Sequence, residues 1–430
     1  MKSSIKIGQL GCGIVGSAAV RMLHANADDI ARRLGVNVGY HSIAVRNIGK
    51  ERDLPEGYAA MLTTDPAAVV NDPEVDVIVE VMGGIEPTRT LLLDAIANGK
   101  SIVTANKELL ATLGQELFDA ADRAGVDIYY EAAVGGGIPL IRPLKEGLAG
   151  ERITRFMGIV NGTTNYILTR MDEDGLDFGE ALALAEQLGY TELDPTADIE
   201  GFDAAAKAAI LASIAFNTRV VAGDVYREGI SKLRADDIAF AKRLGYTVKL
   251  LAIAEDMGDE IAVRVHPAMV PLEHPLASVR ENLNAVFVEG ERVGELMFYG
   301  RGAGGGPTGT SIVGDVLTVA RNLVTGGRGP GCTCTLTKKV RSIDANEAQH
   351  YLLLEVADEP GVLAAVATAF SDNAVSIKSV WQEGHGNDAQ LVLITHRARE
   401  SAFQDTLKAV RALKGVREVA SVLRVEGSEA

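Results

Sequence analysis

The segment between Gly189 and Lys207 combines several acidic side chains with one lysine, residue types that can bind and move protons. Asp203 and Lys207 are four residues apart in an alanine-rich stretch, so they would share one face of a helix. In a buried helix, neighbouring carboxylates would set the lysine's protonation state and hold its ammonium toward a substrate oxygen. A surface ion pair is the alternative, and spacing alone favours it. The other acids in this segment are Glu192, Asp194, Asp198 and Glu200.

A glycine-rich sequence near the start, Gly11-Cys12-Gly13-Ile14-Val15-Gly16, follows an apolar run over 5–10 and precedes a helical pattern. In such a sequence the first glycine allows a tight turn and the second lets the backbone approach a pyrophosphate. The third lets helix and strand pack closely. Strand before and helix after predict a dinucleotide site at Gly11, Gly13, Ile14, Val15 and Gly16. The alternative is a glycine-rich turn that binds nothing.

Arg46 follows the second predicted strand, at the position where an NAD site usually has Asp or Glu for the ribose 2′-hydroxyl. Together with Lys50 and Arg52 it would suit a 2′-phosphate. We therefore predict that NADP(H) is preferred, with NAD(H) possible. An exposed basic loop is the alternative.

Two further segments follow strands, where ligands lie in open parallel sheets. Gly83 follows an apolar run over 75–82, and Ala105 and Lys107 follow one over 101–104. We predict that these three residues approach the cofactor. For Lys107, a solvated side chain explains the spacing equally well.

The elements that position these residues fall into three stretches. Residues 5–151 alternate apolar runs with helical patterns, which predicts an α/β, Rossmann-type domain with a parallel sheet over 1–151. Residues 152–305 mix strands with alanine-rich helices. A glycine-dense loop over 299–308 precedes a helix over 310–323, which we expect to complete the first domain with 306–330. After a glycine-rich linker over 325–331, residues 346–430 predict an independent α+β unit.

Composition narrows the class of protein. The 430 residues carry 42 Lys+Arg and 58 Asp+Glu, a net charge of −16, which disfavours nucleic acid and anionic membranes as partners. No apolar run approaches the roughly 18 residues that span a bilayer, and the first residues do not resemble a secretory signal. Three cysteines (Cys12, Cys332 and Cys334) do not make a disulfide framework. These observations predict a cytoplasmic location.

Four segments resemble motifs of the homoserine dehydrogenase family, in that family's order and across nearly the whole chain. They are Thr104-Ala105-Asn106-Lys107, the run from Glu131 to Pro139, the run from Asn161 to Leu168, and the run from Gly189 to Lys207. The resemblance implies reversible reduction of L-aspartate 4-semialdehyde to L-homoserine by NADPH, in threonine, methionine and isoleucine biosynthesis. It also implies that residues 152–305 form a catalytic and dimerisation domain.

The resemblance further implies residue roles. Lys207 would donate a proton to the substrate oxygen, and Lys107 would be a second lysine near nicotinamide and substrate. Glu192 and Asp203 would bind substrate; further candidates are Asp198, Asn161, Gly162 and Thr163.

The family resemblance also implies roles for two loops. A monovalent cation, usually sodium, is implied near Glu131, Val134, Gly136 and Ile138. A flexible hinge between domains is the alternative for these glycines. Gly302 and Gly305 match a loop that lies beside the cofactor.

The sequence Asp358-Glu359-Pro360-Gly361-Val362-Leu363 resembles the first turn of an ACT domain. This implies a ferredoxin-like regulatory domain over 346–430 and feedback control by L-threonine, with Asp358, Gly361 and Val362 at the regulatory site. A structural dimerisation module is the alternative. We expect the monofunctional form, as a homodimer or homotetramer.

Two other functions compete with this one. A phosphorylating semialdehyde dehydrogenase would need a nucleophilic cysteine with a base, and none of the three cysteines is well placed for that. A non-catalytic sensor of nucleotide and amino acid would not need so many lysines and carboxylates.

Overall fold

The computed structural model describes residues 4–191, 193–384 and 389–427. The chain divides into two compact units. Unit 1 comprises the chain up to Arg155, Ala206–Val225 and Asn284–Lys338; unit 2 comprises Phe156–Ala205, Tyr226–Leu283 and the chain from Lys339. Within the described ranges, no helix has both the length and the hydropathy that crossing a bilayer requires.

The strands are β1 (Ser4–Leu10), β2 (Asn37–Ala44), β3 (Leu62–Thr63), β4 (Val77–Glu80), β5 (Ser101–Thr104), β6 (Ile128–Tyr129), β7 (Ile153–Ile159), β8 (Tyr226–Arg227), β9 (Tyr246–Asp256), β10 (Glu260–Pro271), β11 (Leu283–Gly290), β12 (Gly294–Arg301), β13 (Lys339–Val340), β14 (Glu347–Val356), β15 (Ile377–Glu383), β16 (Ala389–Thr395), β17 (Ala398–Arg399) and β18 (Val416–Val425). The helices are α1 (Ile14–Ala25), α2 (Ala27–Leu34), α3 (Pro66–Asn71), α4 (Thr88–Ala97), α5 (Lys107–Ala124), α6 (Gly162–Asp174), α7 (Phe178–Gln187), α8 (Thr196–Ile199), α9 (Phe202–Ala215), α10 (Ala235–Arg243), α11 (Gly305–Thr325), α12 (Val362–Asp372) and α13 (Glu400–Arg411). Short 3₁₀ turns cover Tyr58–Met61, Glu131–Ala133, Ala222–Asp224, Pro275–Ser278 and Ile343–Ala345, and a π-helical turn covers Pro143–Gly147.

Unit 1 contains the predicted parallel sheet. Its strands lie in the order β3-β2-β1-β4-β5-β6. Its central strands β4 and β5 are buried along their whole length, which explains their continuous apolar runs. The strand order reverses between β1 and β4. In open α/β sheets ligands bind beyond the carboxyl ends of strands at such a point.

Helix α11 packs on α1 in the same unit. A Cβ atom on Gly309 would lie 3.2 Å from the Ala19 nitrogen, so the two backbones approach closely. Ile312 and Val316 belong to the same buried cluster as the residues of β1. The predicted loop over 299–308 was wrong at both ends, because β12 runs to Arg301 and α11 begins at Gly305. Gly304, with φ +112°, caps the helix, and Pro307 fits within its first turn.

Unit 2 contains the antiparallel pair β9–β10, and β18 joins β10 in parallel at Ala268 and Met269. The order then continues through β14, β16 and β15, all antiparallel. Helices α12 and α13 cover one face of these strands around Phe370 and Phe403. The succession β14-α12-β15-β16-α13-β18 is the predicted ferredoxin-like arrangement. The predicted boundaries of the three domains stay predictions.

Candidate active site

The glycine turn between β1 and α1 is closely packed on two sides and open on the third. Gly11 has φ +94°, and a Cβ atom there would lie 2.6 Å from the Val81 oxygen. A Cβ atom on Gly16 would lie 2.9 Å from the Gly11 oxygen. At Gly13, in contrast, no described residue apart from its chain neighbours has an atom within 4 Å of the Cβ position. Gly11 and Gly16 therefore build the turn, while Gly13 leaves space where a ligand can approach the backbone.

Two helix N-termini lie side by side above this turn. A Cβ atom on Gly305, the first residue of α11, would lie 2.9 Å from Cγ2 of Ile14, the first residue of α1. Neither helix has a side-chain cap or an acidic residue in its first turn. The side chain of Ile14 is 81% exposed, and Val15 is partly buried. Unsatisfied N–H groups and two helix dipoles make this a favourable place for phosphate groups.

The basic loop after β2 divides into one structural arginine and two exposed cations. Arg52 donates hydrogen bonds to the carbonyl oxygens of Cys12 (3.1 Å), Lys50 (2.7 Å) and Asn47 (2.8 Å). It therefore ties the loop to the glycine turn. Arg46 and Lys50 are exposed and form no ion pair within the described part of the chain. Both are available to a charged ligand.

Cys12 has a packing role. Its thiol is buried and lies 3.4 Å from the Ser17 hydroxyl. That position, beneath the glycine turn, is unsuited to a nucleophile that must reach a substrate carbonyl.

The carboxyl ends of β4 and β5 are joined through a buried glutamate that sequence reasoning did not single out. Glu80 accepts hydrogen bonds from the Thr104 hydroxyl (2.6 Å) and from the backbone nitrogens of Met82 (2.8 Å) and Gly83 (3.0 Å). Burial raises the pKa of Glu80 above its ordinary value, although these donors oppose the shift. The available signal was a lone acid at the end of the apolar run before Gly83.

Asn106 extends this arrangement to the next helix. Its side chain donates to the Gly84 oxygen (2.7 Å) and accepts from the Leu109 nitrogen (3.1 Å), which caps α5. Ala105 donates its N–H to the main-chain carbonyl oxygen of Glu80 at 3.2 Å. Lys107 is the first residue of α5 and is partly buried. Its backbone is thus fixed at the sheet edge where parallel sheets bind ligands.

In unit 2, one amide holds two carboxylates. Asn161, which follows β7, donates from Nδ2 to Asp198 (2.6 Å) and to Asp203 (2.9 Å). Its Oδ1 accepts from the Thr164 nitrogen at 2.9 Å and so caps α6. The structure therefore brings together Asn161, Asp198 and Asp203, which were separate substrate-binding candidates in the sequence. Glu192 lies outside the described residues.

Thr163 and Gly162, which follow Asn161, also make close contacts. The Thr163 hydroxyl donates to the Tyr190 oxygen at 2.6 Å, which holds the chain before the acidic stretch. Gly162 cannot carry a side chain, because a Cβ atom would lie 2.7 Å from the Asn282 oxygen.

Lys207 lies one helical turn beyond Asp203 on α9. Lys207 is 9% exposed and Asp203 is 7% exposed, and most of the alanines around them are buried. Their burial contradicts the surface location that the ion-pair alternative requires. A buried ammonium loses hydration, so its charge responds strongly to nearby groups.

The loop of the expected cation site is hydrogen-bonded and mostly buried. The Glu131 carboxylate accepts from the backbone nitrogens of Leu140, Ile141 (2.7 Å) and Arg142 (2.9 Å), so it caps the following turn. The Gly136 oxygen accepts from the Ser311 hydroxyl at 2.6 Å. Val134 and Ile138 are buried. These contacts hold the loop in place in this structure, the flexible hinge stays an alternative, and main-chain carbonyls remain as possible cation ligands.

Gly136 and Gly302 lack space for a side chain, the first because of the Gly302 backbone and the second because of the Asn284 side chain. A Cβ atom on Gly136 would lie 2.4 Å from the Gly302 oxygen. One on Gly302 would lie 1.3 Å from Oδ1 of Asn284. The loop before α11 is thereby packed against the expected cation loop.

The turn before α12 carries the three predicted regulatory residues. Asp358 and Gly361 are exposed, and Val362 is partly buried. Gly361, with φ +95°, stands at the N-cap of α12. Only glycine adopts that conformation without strain.

Comparison with known proteins agrees with this architecture. The family described as homoserine dehydrogenase matches residues 139–317, its NAD-binding domain matches 11–131, and the ACT domain matches 350–415. A homoserine dehydrogenase from Mycobacterium tuberculosis is 49% identical over 99% of this chain and 98% of its own.

Solved structures give the same answer. A homoserine dehydrogenase from Thiobacillus denitrificans superimposes with a TM-score of 0.92 at 39% identity, covering 98% of both chains. A hyperthermophilic archaeal homoserine dehydrogenase mutant in complex with NADPH gives 0.64 at 27% identity, covering 74% of this chain and 97% of that one. Sequence and fold agree over nearly the whole length, and the chain belongs to the homoserine dehydrogenase family.

Proposed function

We propose that this oxidoreductase reversibly reduces L-aspartate 4-semialdehyde to L-homoserine with NADPH as its preferred cofactor. The observation that carries the proposal is a pair of carboxylates, half-buried Asp198 and buried Asp203, which Asn161 holds together. Asp203 lies in the first turn of the helix that bears the buried Lys207. Carboxylates held in this way suit the α-ammonium of an amino-acid substrate, and a buried lysine suits its reacting oxygen.

The nucleotide site of unit 1 supports the cofactor. Its residues fit a dinucleotide, because Gly13 leaves space and the N-termini of α1 and α11 offer unpaired N–H groups. The archaeal relative binds NADPH. Arg46 would contact the 2′-phosphate and Gly83, Ala105 and Gly305 would line the cofactor. The nicotinamide, when bound, supplies the hydride.

Lys207 donates the proton to the carbonyl oxygen in the direction of reduction. Lys107 contributes a second ammonium, and the two positive charges stabilise negative charge as it develops on that oxygen. Glu192 and Asp203 hold the substrate's α-ammonium, with Asp198 positioned through the shared amide of Asn161.

A monovalent cation, for which we propose sodium, would be held by main-chain carbonyls of Glu131, Val134, Gly136 and Ile138. The Glu131 side chain is already committed to three backbone N–H groups, so it is left out of the ligand set. The cation would fix the loop that packs beside Gly302.

We further propose that L-threonine regulates the enzyme through the ACT domain, with Asp358, Gly361 and Val362 at the effector, and that the enzyme is a cytoplasmic homodimer or homotetramer. A structural dimerisation module remains the competing role for this domain.

The first experiment measures the initial rate of NADPH oxidation with L-aspartate 4-semialdehyde, repeated with NADH and with L-threonine. Turnover that is faster with NADPH and slowed by threonine supports the reaction, the cofactor preference and the regulation. A folded protein that binds NADPH without turnover at any pH would instead be a nucleotide and amino-acid sensor.

A further inference from the structure

Two of the three cysteines lie close together in the segment that follows α11. The thiols of Cys332 and Cys334 are hydrogen-bonded to each other, and neither belongs to a disulfide. Sγ of Cys334 also lies 3.9 Å from the Ser213 oxygen, near the end of α9. In an extended chain, alternate side chains point to the same side, which brings such a pair within reach. The proposed reaction uses neither thiol.

The backbone on both sides of this pair is held in place. Before it, the Gly331 oxygen accepts a hydrogen bond from Nζ of Lys145 at 2.6 Å. After it, the Leu336 nitrogen donates to the Asn217 oxygen at 2.8 Å. Because the segment is already ordered, little conformational freedom is lost when the two sulfurs form a bond with each other.

The two thiols differ in acidity. The hydrogen bond from Cys334 lowers the pKa of Cys332 to about 6, and the nearby Lys145 acts in the same direction, although burial opposes both. The same hydrogen bond and burial raise the pKa of Cys334. The thiolate is the nucleophile in cysteine chemistry, so Cys332 is suited to attack an oxidant and Cys334 to supply the second thiol.

Both cysteines line a small cavity in unit 1, together with residues of α5 and of the last turns of α9. Its volume is about 50 Å³, and apolar side chains such as Leu110, Phe118 and Ile214 form much of its wall. A space of this size admits molecules about as large as a few waters and excludes a tripeptide disulfide. The oxidant that fits is therefore a small peroxide.

We propose that Cys332 and Cys334 are a peroxide-reactive dithiol that is converted to an intramolecular disulfide. The Cys332 thiolate attacks one oxygen of hydrogen peroxide, the O–O bond breaks, and hydroxide leaves and takes up a proton to become water. The Cys334 sulfur, losing its proton, then attacks the resulting sulfenic acid. The S–S bond forms, the S–O bond breaks and a second water leaves. In total the two thiols lose two electrons, which the peroxide gains.

The product is a reversible modification. Residues only two apart close a small ring, so their disulfide is strained and readily reduced. In the cytoplasmic location proposed above, the pair is a dithiol at rest and is oxidised transiently.

Intact-mass spectrometry of the full chain after treatment with hydrogen peroxide tests the proposal. We expect the folded wild type to lose the mass of two hydrogen atoms about ten-fold or more faster than the chain unfolded in urea, because only the folded state provides the acidic thiol. Dithiothreitol should restore the original mass. Cys12→Ser, which removes the buried thiol outside the pair, is the matched control and should behave as the wild type.

Two further variants separate the roles of the sulfurs. Cys334→Ser should stop at the sulfenic acid of Cys332, which dimedone traps as a stable adduct. Cys332→Ser should react no faster than the unfolded chain, because Cys334 is the less acidic thiol. Far-UV circular dichroism checks that each variant is folded.

Three outcomes would overturn the proposal: equal rates in the folded and unfolded chains, a linked dimer on a non-reducing gel in place of the internal disulfide, or faster loss of the thiols to oxidised glutathione than to the peroxide. None of these measurements involves turnover. Failure of the proposed reaction would therefore leave the assignment of the dithiol standing.

Discussion

Polar groups at the nucleotide end of unit 1 are left without partners from the described part of the chain. In unit 2, the charged cluster around Arg424 pairs its polar groups with one another. In unit 1, α1 and α11 begin without side-chain caps, beside open space at Gly13. In unit 2, Arg424 donates to Glu400 at 2.8 Å and to Glu228 at 2.9 Å. Glu400 also lies 3.1 Å from Nε2 of His350.

The difference separates residues that serve ligands from residues that serve the fold. Burial acts to raise the pKa of Glu400, but His350 and Arg424 together hold it well below its ordinary value. When every charge in a buried cluster has a partner, removing one member leaves another charge buried and unpaired, which lowers the stability of the fold. Uncapped helix ends instead have unpaired N–H groups, and a bound anion can accept hydrogen bonds from them.

Removal of Lys207 should have the largest effect on function. Lys207→Ala is expected to lower kcat by roughly 10²–10⁴-fold, because the proton donor is lost. NADPH affinity, measured by fluorescence titration, should stay within error of the wild type. An equal loss of cofactor affinity would show that Lys207 belongs to the nucleotide site.

Removal of Arg424 should have the largest effect on the fold. Arg424→Ala leaves Glu400 buried beside fewer cations, which is expected to lower the free energy of unfolding by about 3–5 kcal/mol. Urea denaturation measures it. Lys408→Ala, which breaks an exposed pair with Asp405 on the same domain, is the matched control and should change little. Equal stability of both variants would contradict the distinction drawn between the two regions.

A smaller effect is expected at the open nucleotide end. Arg46→Ala should reduce the ratio of kcat/KM for NADPH to kcat/KM for NADH by about ten-fold or more, because one charge-assisted hydrogen bond is lost. Arg33→Ala removes an exposed arginine from α2 and serves as the control. An unchanged ratio would remove Arg46 from the 2′-phosphate site.

The smallest effect concerns pH. Burial raises the pKa of Asp315 to about 7, so the native state holds this proton more tightly than the unfolded chain does. Its contribution to stability is complete below the ordinary pKa and is lost as pH rises toward 7. The melting temperature of Asp315→Asn relative to wild type should therefore rise by a few degrees between pH 4 and 8, measured by differential scanning fluorimetry. A pH-independent difference would contradict the shift.

Local patterns predicted several elements with their bounds. Apolar periodicity predicts a helix over 88–97, and the apolar run over 101–104 predicts a strand. Helix α4 and strand β5 occupy these residues, because apolar periodicity and the flanking glycine act over a few residues. The pattern over 416–422 predicts a last strand, but β18 runs to Val425, since its last residues also pair with β10. That pairing depends on a strand more than 150 residues away and has no local signal.

The sequence by itself determined the glycine turn, the βαβ order and the identity of the lysines and carboxylates, because these depend on residue type and short spacing. Only the tertiary structure decided that Asn161 holds Asp198 and Asp203 and that Glu80 joins β4 to β5. The partners in these contacts are 24, 37 and 42 residues apart where they are hydrogen-bonded. The burial and packing of whole elements bring them together, which no local propensity encodes.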